Sequence, residues 1–247
     1  MKKALSRIRG IPQYLADFVT LRGQAGRSKH VFPFGTFKPK PGDRYGLNGD
    51  TARGQYFHQD FLVARRIFLN NPKRHLDVGS RVAGFIAHVA SYREIEAIDI
   101  RPMNKVLPNI KFLQADLMAD LPPEFIACCD SLSCLHTIEH FGLGRYGDPV
   151  NFEGHLLGLE NLRKILKPGG KFYFSTPIGP QRIEFNAHRV FSVAYLADLL
   201  ERDYTIDHFS YVDDRGDLHE DVGLTPALRA NSCGCRRGCG IFELTKK

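Results

Sequence analysis

His75-Leu-Asp-Val-Gly-Ser-Arg-Val-Ala-Gly84, followed by Glu96-Ala-Ile-Asp-Ile100, reads as strand, glycine turn, helix, strand, acid. That order describes a nucleotide-binding βαβ unit. Gly79 lets the backbone leave the strand tightly, and Gly84 is expected to let the following helix, near Val82–Ala90, lie close to the sheet. Asp99 stands 20 residues beyond Gly79 at the end of the second strand, where a carboxylate accepts hydrogen bonds from both hydroxyls of an adenosine ribose.

Asp77, just before the turn, narrows the ligand. A negative charge there repels a pyrophosphate and suits a cationic ligand. S-adenosylmethionine carries an adenosine, a sulfonium and an ammonium, and no phosphate.

Three further segments extend the pattern: Phe112-Leu-Gln-Ala-Asp116 after a third strand, Asp130-Ser-Leu-Ser-Cys-Leu-His-Thr-Ile-Glu-His140 through a fourth, and Leu166-Lys-Pro-Gly-Gly170 before a fifth. With these, residues 74 to 177 resemble the class I S-adenosylmethionine-dependent methyltransferases, and Gly240-Ile-Phe-Glu-Leu244 supplies a last strand. Gly142-Leu-Gly-Arg-Tyr-Gly-Asp148 and Phe185-Asn-Ala-His-Arg189 resemble an uncharacterised bacterial branch, DUF268-like and methyltransferase type 11-like, often met beside polysaccharide genes. The resemblance implies that Asp77, Gly79 and Ser80 hold the methionine part, Asp99 the ribose and Asp116 the adenine amine. Gly84, Ile100 and Leu117 complete that cofactor set. One departure stands out: Arg81 occupies a position that is usually glycine, so the loop must open or turn this side chain outward.

The implied fold is α/β, a Rossmann-like doubly wound sheet of seven strands, mostly parallel with an antiparallel last strand and helices on both faces. The pattern predicts strands near 74–79, 94–100, 110–115, 128–135, 170–176, 205–212 and 239–245. Helices are expected near 57–70, 82–91, 153–167 and 192–202. In the third of these, Leu156, Leu159, Leu162 and Leu166 share a side before Pro168-Gly169-Gly170 stops the helix. Short spacings between strands and helices imply parallel pairing. Ligands then bind beyond the carboxyl ends of the strands, with residues 141–152 and 178–191 as substrate loops.

Length and composition fit one such domain, residues 51–247, preceded by a basic arm and irregular lead-in, residues 1–50. The first 50 residues hold ten Lys or Arg against three Asp or Glu, whereas the remainder is balanced at 24 of each. The whole net charge of +7 therefore sits in the arm. Ile8, Ile11, Leu15 and Phe18 approximate one apolar helical face. A basic amphipathic helix of this kind suits an anionic membrane surface, a phosphorylated substrate, or simply the domain it covers. Val31-Phe-Pro-Phe-Gly-Thr-Phe-Lys-Pro-Lys-Pro-Gly42 is too rich in proline and glycine for regular structure, and its aromatics are expected to cover something. No run of eighteen apolar residues exists, and six cysteines in a chain of this size do not suggest a secreted disulfide framework. A reducing cytoplasm fits best.

Methyl transfer from a sulfonium is an in-line displacement, so the protein must align a nucleophile and, for a hydroxyl, remove its proton. His136, Glu139 and His140 follow the fourth strand at a spacing that groups them on one side of a helical turn. Their leading reading is a general base, His140 or His136, without metal. With His188 they also resemble the divalent-metal set of small-RNA terminal 2′-O-methyltransferases. That reading is not favoured, because His136 stands where the set has a glutamate. Arg145 and Arg189 would clamp a phosphate or carboxylate. His58 and Asp60 would reach the cleft mouth or cap the helix before the first strand. Cys233, Cys235 and Cys239 offer three thiols without a CxxC pair, too few for a closed zinc site, and read instead as a turn into the last strand with Cys239 buried.

The expected activity is O-methylation of a small hydroxylated acceptor such as a sugar nucleotide or glycan end. The alternatives are an RNA 2′-O-methyltransferase and a non-catalytic nucleotide-binding subunit. Nucleic acid is the weaker partner class, because outside the arm the chain is electrically balanced and shows no interleaving of aromatic and basic residues.

Overall fold

The computed structural model describes residues 2–30, 32–45 and 52–247. Two compact units divide the chain, Met1–Thr51 and Ala52–Lys247. Val31 and the expected boundary at residues 50–51 lie outside the described residues.

The first unit is a helix, α1 (Lys2–Ala25), and its irregular lead-out. Tyr14 and Phe18 meet Phe37 and Phe34 edge to face, with centroids 5.9 and 5.7 Å apart. The lead-in aromatics therefore cover a helix face, but not the whole one expected. Ile8, Ile11 and Leu15 stay exposed, because the Phe34 and Phe37 rings choose aromatic partners one step round the helix.

The second unit begins with α2 (Gln55–Asn70) and alternates strand and helix thereafter. Its strands are β1 (His75–Val78), β2 (Ile95–Asp99), β3 (Ile110–Gln114), β4 (Cys129–Leu135), β5 (Leu166–Ile178), β6 (Arg182–Glu184), β7 (His188–Val190), β8 (Tyr204–Val212), β9 (Leu218–His219) and β10 (Gly238–Lys246). Its remaining helices are α3 (Ala87–Ala90), α4 (Gly154–Ile165), α5 (Val193–Leu200) and α6 (Pro226–Ala230). The main sheet has eight strands in the order β3-β2-β1-β4-β5-β10-β8-β9. The first five run parallel, and β10 lies antiparallel between β5 and β8. The doubly wound sheet with an antiparallel last strand is thus present, with one strand more than expected. That extra strand, β9, pairs only Tyr211↔His219 and Val212↔Leu218, too short a run to leave a periodic signal.

Helices cover both faces. Leu162 and Ile165 of α4 and Val193, Leu196 and Leu200 of α5 close one core with Leu76, Leu132, Phe172, Phe174 and Phe242. Leu62, Val63 and Ile67 of α2 close the other with Phe85, Val89, Ile95, Tyr173 and Ile241. Each fully buried side chain of this size contributes about 1.5–3 kcal/mol relative to exposure. Because β1 and β4 are neighbours while β2–β3 and β5 continue on opposite sides, the strand order reverses between them. Their carboxyl ends form the crevice that such a reversal opens.

Two expectations change here. The helix after β1 is broken: Val82–Ile86 forms a wide π-helical turn before α3. The segment 178–191 is a hairpin, β6 and β7 paired through Arg182↔Val190 and Glu184↔His188, rather than an open loop.

Candidate active site

A cavity of about 620 Å³ opens at the carboxyl ends of β1, β2 and β4, within the range usual for small-molecule sites. Its floor comes from the turns after β1, β2 and β3. Gly79 adopts φ 73°, and a Cβ there would stand 2.2 Å from the Thr137 methyl carbon. Glycine is therefore required both by conformation and by the approach of the turn after β4.

Gly79, Ser80, Gly84, Asp99, Ile100, Asp116 and Leu117 all line this cavity. Asp77 does not. It is fully buried beneath the loop, where it accepts from the Ser80 backbone N–H at 3.2 Å and the Ser80 hydroxyl at 2.8 Å, and from the Ser133 hydroxyl. Burial pushes its carboxyl up to about 7, against the opposing pull of those three bonds. Asp77 thus fastens the glycine turn rather than meeting a ligand. Gly84 also serves a purpose other than the expected one: its bare Cα faces α2, where a Cβ would stand 2.9 Å from Asp60 Oδ2. Arg81 has ordinary extended backbone, φ −73° and ψ 129°, and is an exposed residue of the cavity lining.

Asp99 is already engaged. Arg101 donates to it from its backbone N–H at 2.8 Å, from Nε at 2.9 Å and from Nη2 at 2.6 Å. The same guanidinium lies 4.7 Å from the Tyr146 ring centre, and Arg145 lies 5.2 Å from that ring. Asp116 accepts from the Met118 N–H at 2.8 Å, which closes the turn after β3.

The opposite wall carries the histidines. His136 and His140 line the cavity, and Glu139 lies buried behind them. His136 has φ 50°, a left-handed conformation that turns the chain sharply out of β4. Both its ring nitrogens are occupied, Nδ1 by Glu139 at 3.0 Å and Nε2 by the Cys239 sulfur at 3.2 Å. Burial pulls His136 down, but the Cys239 sulfur and the Glu139 carboxylate outweigh it and hold the imidazole well above its ordinary pKa. His140 is the reverse case. Its Nδ1 lies 2.7 Å from the Ala187 carbonyl, so that nitrogen carries the proton and Nε2 keeps its lone pair. Burial lowers its pKa, only partly offset by Glu139, whose carboxylate stands 4.0 Å from Nε2. The two imidazoles are thus pushed in opposite directions, His136 toward its protonated form and His140 toward its neutral one.

The Ala187 carbonyl, in the β6–β7 turn, also accepts from Arg145 at 2.9 Å. The hairpin thereby sets the His140 ring. Arg189 does the same for the loop: it is 4% exposed and donates to the carbonyls of Phe141 at 2.5 Å, Phe152 at 3.0 Å, Glu139 at 3.4 Å and Asn151 at 3.5 Å. Its guanidinium is spent on backbone, which corrects the expectation of a ligand clamp. Arg145 lines the cavity.

His58 and His188 stand outside the cavity lining. His58 packs against Phe57, centroids 5.3 Å apart, and α2 starts after Gly54 with no side-chain cap, so His58 neither caps nor reaches the site. His188 pairs with Glu184 at 3.5 Å, its ring 6.4 Å from that of His140. The four residues considered as a metal set therefore do not converge. Among the described residues no group of three or more His, Cys, Asp or Glu is arranged to hold a metal ion. Cys239 is buried at the head of β10, as the turn reading expected.

Of the two readings of Asp60, the cleft mouth is where it lies, since it lines the cavity; Arg101 and Tyr146 line it as well and the sequence did not single them out. The signal for Asp60 was present: Gln59 and Asp60 interrupt the apolar, core-facing side of α2, where a carboxylate is rarely placed without a purpose.

The model of the family described as "Caenorhabditis protein of unknown function, DUF268" matches residues 94–222. The chain belongs to the DUF268 family. That match spans β2 to the region after β9 and so includes both histidines and the segments 141–152 and 178–191. No curated protein matches the sequence. Among solved structures, the N-methyltransferase NodS of Bradyrhizobium japonicum with S-adenosyl-L-homocysteine is 13% identical, with TM-score 0.51 over 78% of this chain and 88% of that one. A Burkholderia thailandensis 1,6-didemethyltoxoflavin-N1-methyltransferase is 15% identical, with TM-score 0.51 over 76% and 78%. The [4+2]-cyclase SpnF is 16% identical, with TM-score 0.53 over 76% and 80%. The DUF268 chain thus has the class I methyltransferase fold. That two methyltransferases and a cyclase share it shows why the reaction must be argued from the site. No helix among the described residues is long and apolar enough to cross a membrane.

Proposed function

We propose that this DUF268 protein is a methyltransferase that uses S-adenosylmethionine and methylates a hydroxyl of a small acceptor, of the sugar-nucleotide or glycan-end class. The observation that carries the reading is the pairing, across one cavity, of an adenosine-type floor (Gly79, Asp99, Asp116) with a neutral histidine whose free nitrogen is Nε2. The bound S-adenosyl-L-homocysteine in NodS and in the toxoflavin enzyme supports the cofactor by analogy of fold.

The residues fit that cofactor. Gly79 keeps the turn after β1 packed tightly against Thr137 at the cavity floor, Asp116 ends the turn after β3, and Asp99 offers the ribose a carboxylate once Arg101 yields an oxygen. When bound, S-adenosylmethionine supplies a methyl carbon activated by a sulfonium. The protein's part is to position the acceptor oxygen and accept its proton at His140 Nε2. Glu139 then faces the imidazolium that forms, and the Ala187 carbonyl holds the ring throughout. Phe141, Leu117 and Met118 provide the apolar lining that limits water.

Calorimetry with S-adenosylmethionine, S-adenosylhomocysteine and NAD, followed by S-adenosylhomocysteine release over hydroxylated and amine acceptors, tests the reading. Expected are micromolar binding of both adenosyl ligands, no binding of NAD, and turnover with a hydroxylated acceptor only. Binding of NAD in place of both adenosyl ligands overturns it.

A further inference from the structure

Asp60 is a carboxylate without an evident structural task. It is 8% exposed, sits in the second turn of α2 and lines the cavity. Its Oδ1 accepts from Gln59 Nε2 at 2.9 Å, and Gln59 in turn accepts from the buried Ser175 hydroxyl on β5. The carboxylate is therefore held from behind by the sheet. Among the described residues, Oδ2 has neither a hydrogen bond nor an ion pair, and it points at the bare Cα of Gly84. Oδ2 is thus a free acceptor on a largely buried carboxylate at the cavity wall, a place suited to a cationic group of a ligand.

Arg81 flanks the same glycine, its Cβ 4.0 Å from where a Gly84 Cβ would stand. Arg81 lines the cavity and enters no ion pair among the described residues. A carboxylate and an arginine that both adjoin Gly84 and line one cavity match the ammonium and carboxylate of one α-amino acid.

We propose that Asp60 and Arg81 form a clamp for the amino-acid end of the cofactor, with Asp60 Oδ2 taking the ammonium and Arg81 the carboxylate. Arg81, the departure from the usual glycine, then becomes a binding residue rather than an obstruction. Gly84 is required because any side chain would displace the Asp60 oxygen from the cavity. The clamp rests on the S-adenosylmethionine reading above.

The test is calorimetry of the whole chain and of Asp60→Asn and Arg81→Ala with four ligands. These are S-adenosylhomocysteine, S-adenosylmethionine, decarboxylated S-adenosylmethionine, which keeps the ammonium, and 5′-methylthioadenosine, which lacks the amino-acid end. Asp60→Asn retains the shape and the Gln59 bond and is expected to weaken the three ammonium-bearing ligands about 10- to 100-fold, with methylthioadenosine unchanged. Arg81→Ala is expected to weaken S-adenosylmethionine and S-adenosylhomocysteine and to spare the decarboxylated ligand. Unchanged methylthioadenosine affinity also certifies folding of each variant. Equal losses for all four ligands, or no loss for any, overturn the clamp while leaving the cofactor reading in place. If the unaltered protein binds none of the four, the cofactor reading fails and the clamp fails with it.

Discussion

The two walls of the cavity are built by different means. On the floor, Gly79, Asp99 and Asp116 each lie within two residues of a strand end, so a short local sequence places them. On the opposite wall, His140 is oriented by Ala187, 47 residues away, and the loop around it by Arg189. One wall is a property of turns, the other of long-range hydrogen bonds. A cofactor floor of the first kind suits many acceptors, because the second wall can change without disturbing it.

His140 offers the sharpest way to break this comparison. If the far wall supplies the base, His140→Ala lowers kcat by about 10²- to 10⁴-fold while S-adenosylhomocysteine affinity, a floor property, stays the same. An equal loss in both would erase the division. The pH profile sharpens it further. A base whose pKa is lowered by burial is neutral above that value, so kcat/KM falls only as pH drops below about 6.5. Glu139 opposes the lowering, hence Glu139→Gln is expected to move that acid limb lower still. An acid limb above the ordinary histidine value would assign the titration to another group.

Arg189 measures what holds the far wall in place. Arg189→Ala removes donors from buried carbonyls of the 139–152 segment, at a cost of about 1–3 kcal/mol for each carbonyl left unpaired and water-free. A loss of about 3 kcal/mol in denaturant unfolding is expected, with Arg189→Lys recovering only part because an ammonium cannot span the same carbonyls. Hydrogen exchange should rise in residues 141–152 and not in the turn after β1. Unchanged stability would mean the loop holds itself.

The same contrast explains what the sequence could tell. Strand and helix periods, the Gly79 turn and the acids at strand ends are local, and the parallel core of the sheet followed from them. The β6–β7 hairpin left no signal, because three-residue strands are shorter than any period that can be counted. Arg189 read as a surface clamp because four backbone carbonyls from another loop are invisible in one dimension. Asp77 reads in the sequence as a charge facing a ligand, but its partner Ser133 lies 56 residues away, and only the fold shows that the pair pins the loop from below. Asp60 was weighed as a cap because helix starts favour acids; the helix in fact begins five residues earlier.

Asp99 and Arg101 give the smaller effects, and together they ask whether the floor is ready for a ligand. Asp99→Ala should weaken S-adenosylhomocysteine by about 1–3 kcal/mol, the loss of hydrogen bonds to a charged group, as read by calorimetry. Arg101 competes for that carboxylate. Its side chain is half exposed, so its pair with Asp99 is worth only about 0–1 kcal/mol, and a ribose that accommodates it displaces it cheaply. Arg101→Ala is therefore expected to tighten S-adenosylhomocysteine by no more than about fivefold, with the larger gain at low salt, since screening at high salt already weakens the competing pair. Weaker binding in this variant would show that Arg101 contacts the ligand after releasing Asp99, through the face it already presents to Tyr146. In that event the floor would no longer be purely a set of turns. Arg101 and Tyr146 would join it to the loop of the far wall, and acceptor and cofactor would be expected to bind with measurable coupling.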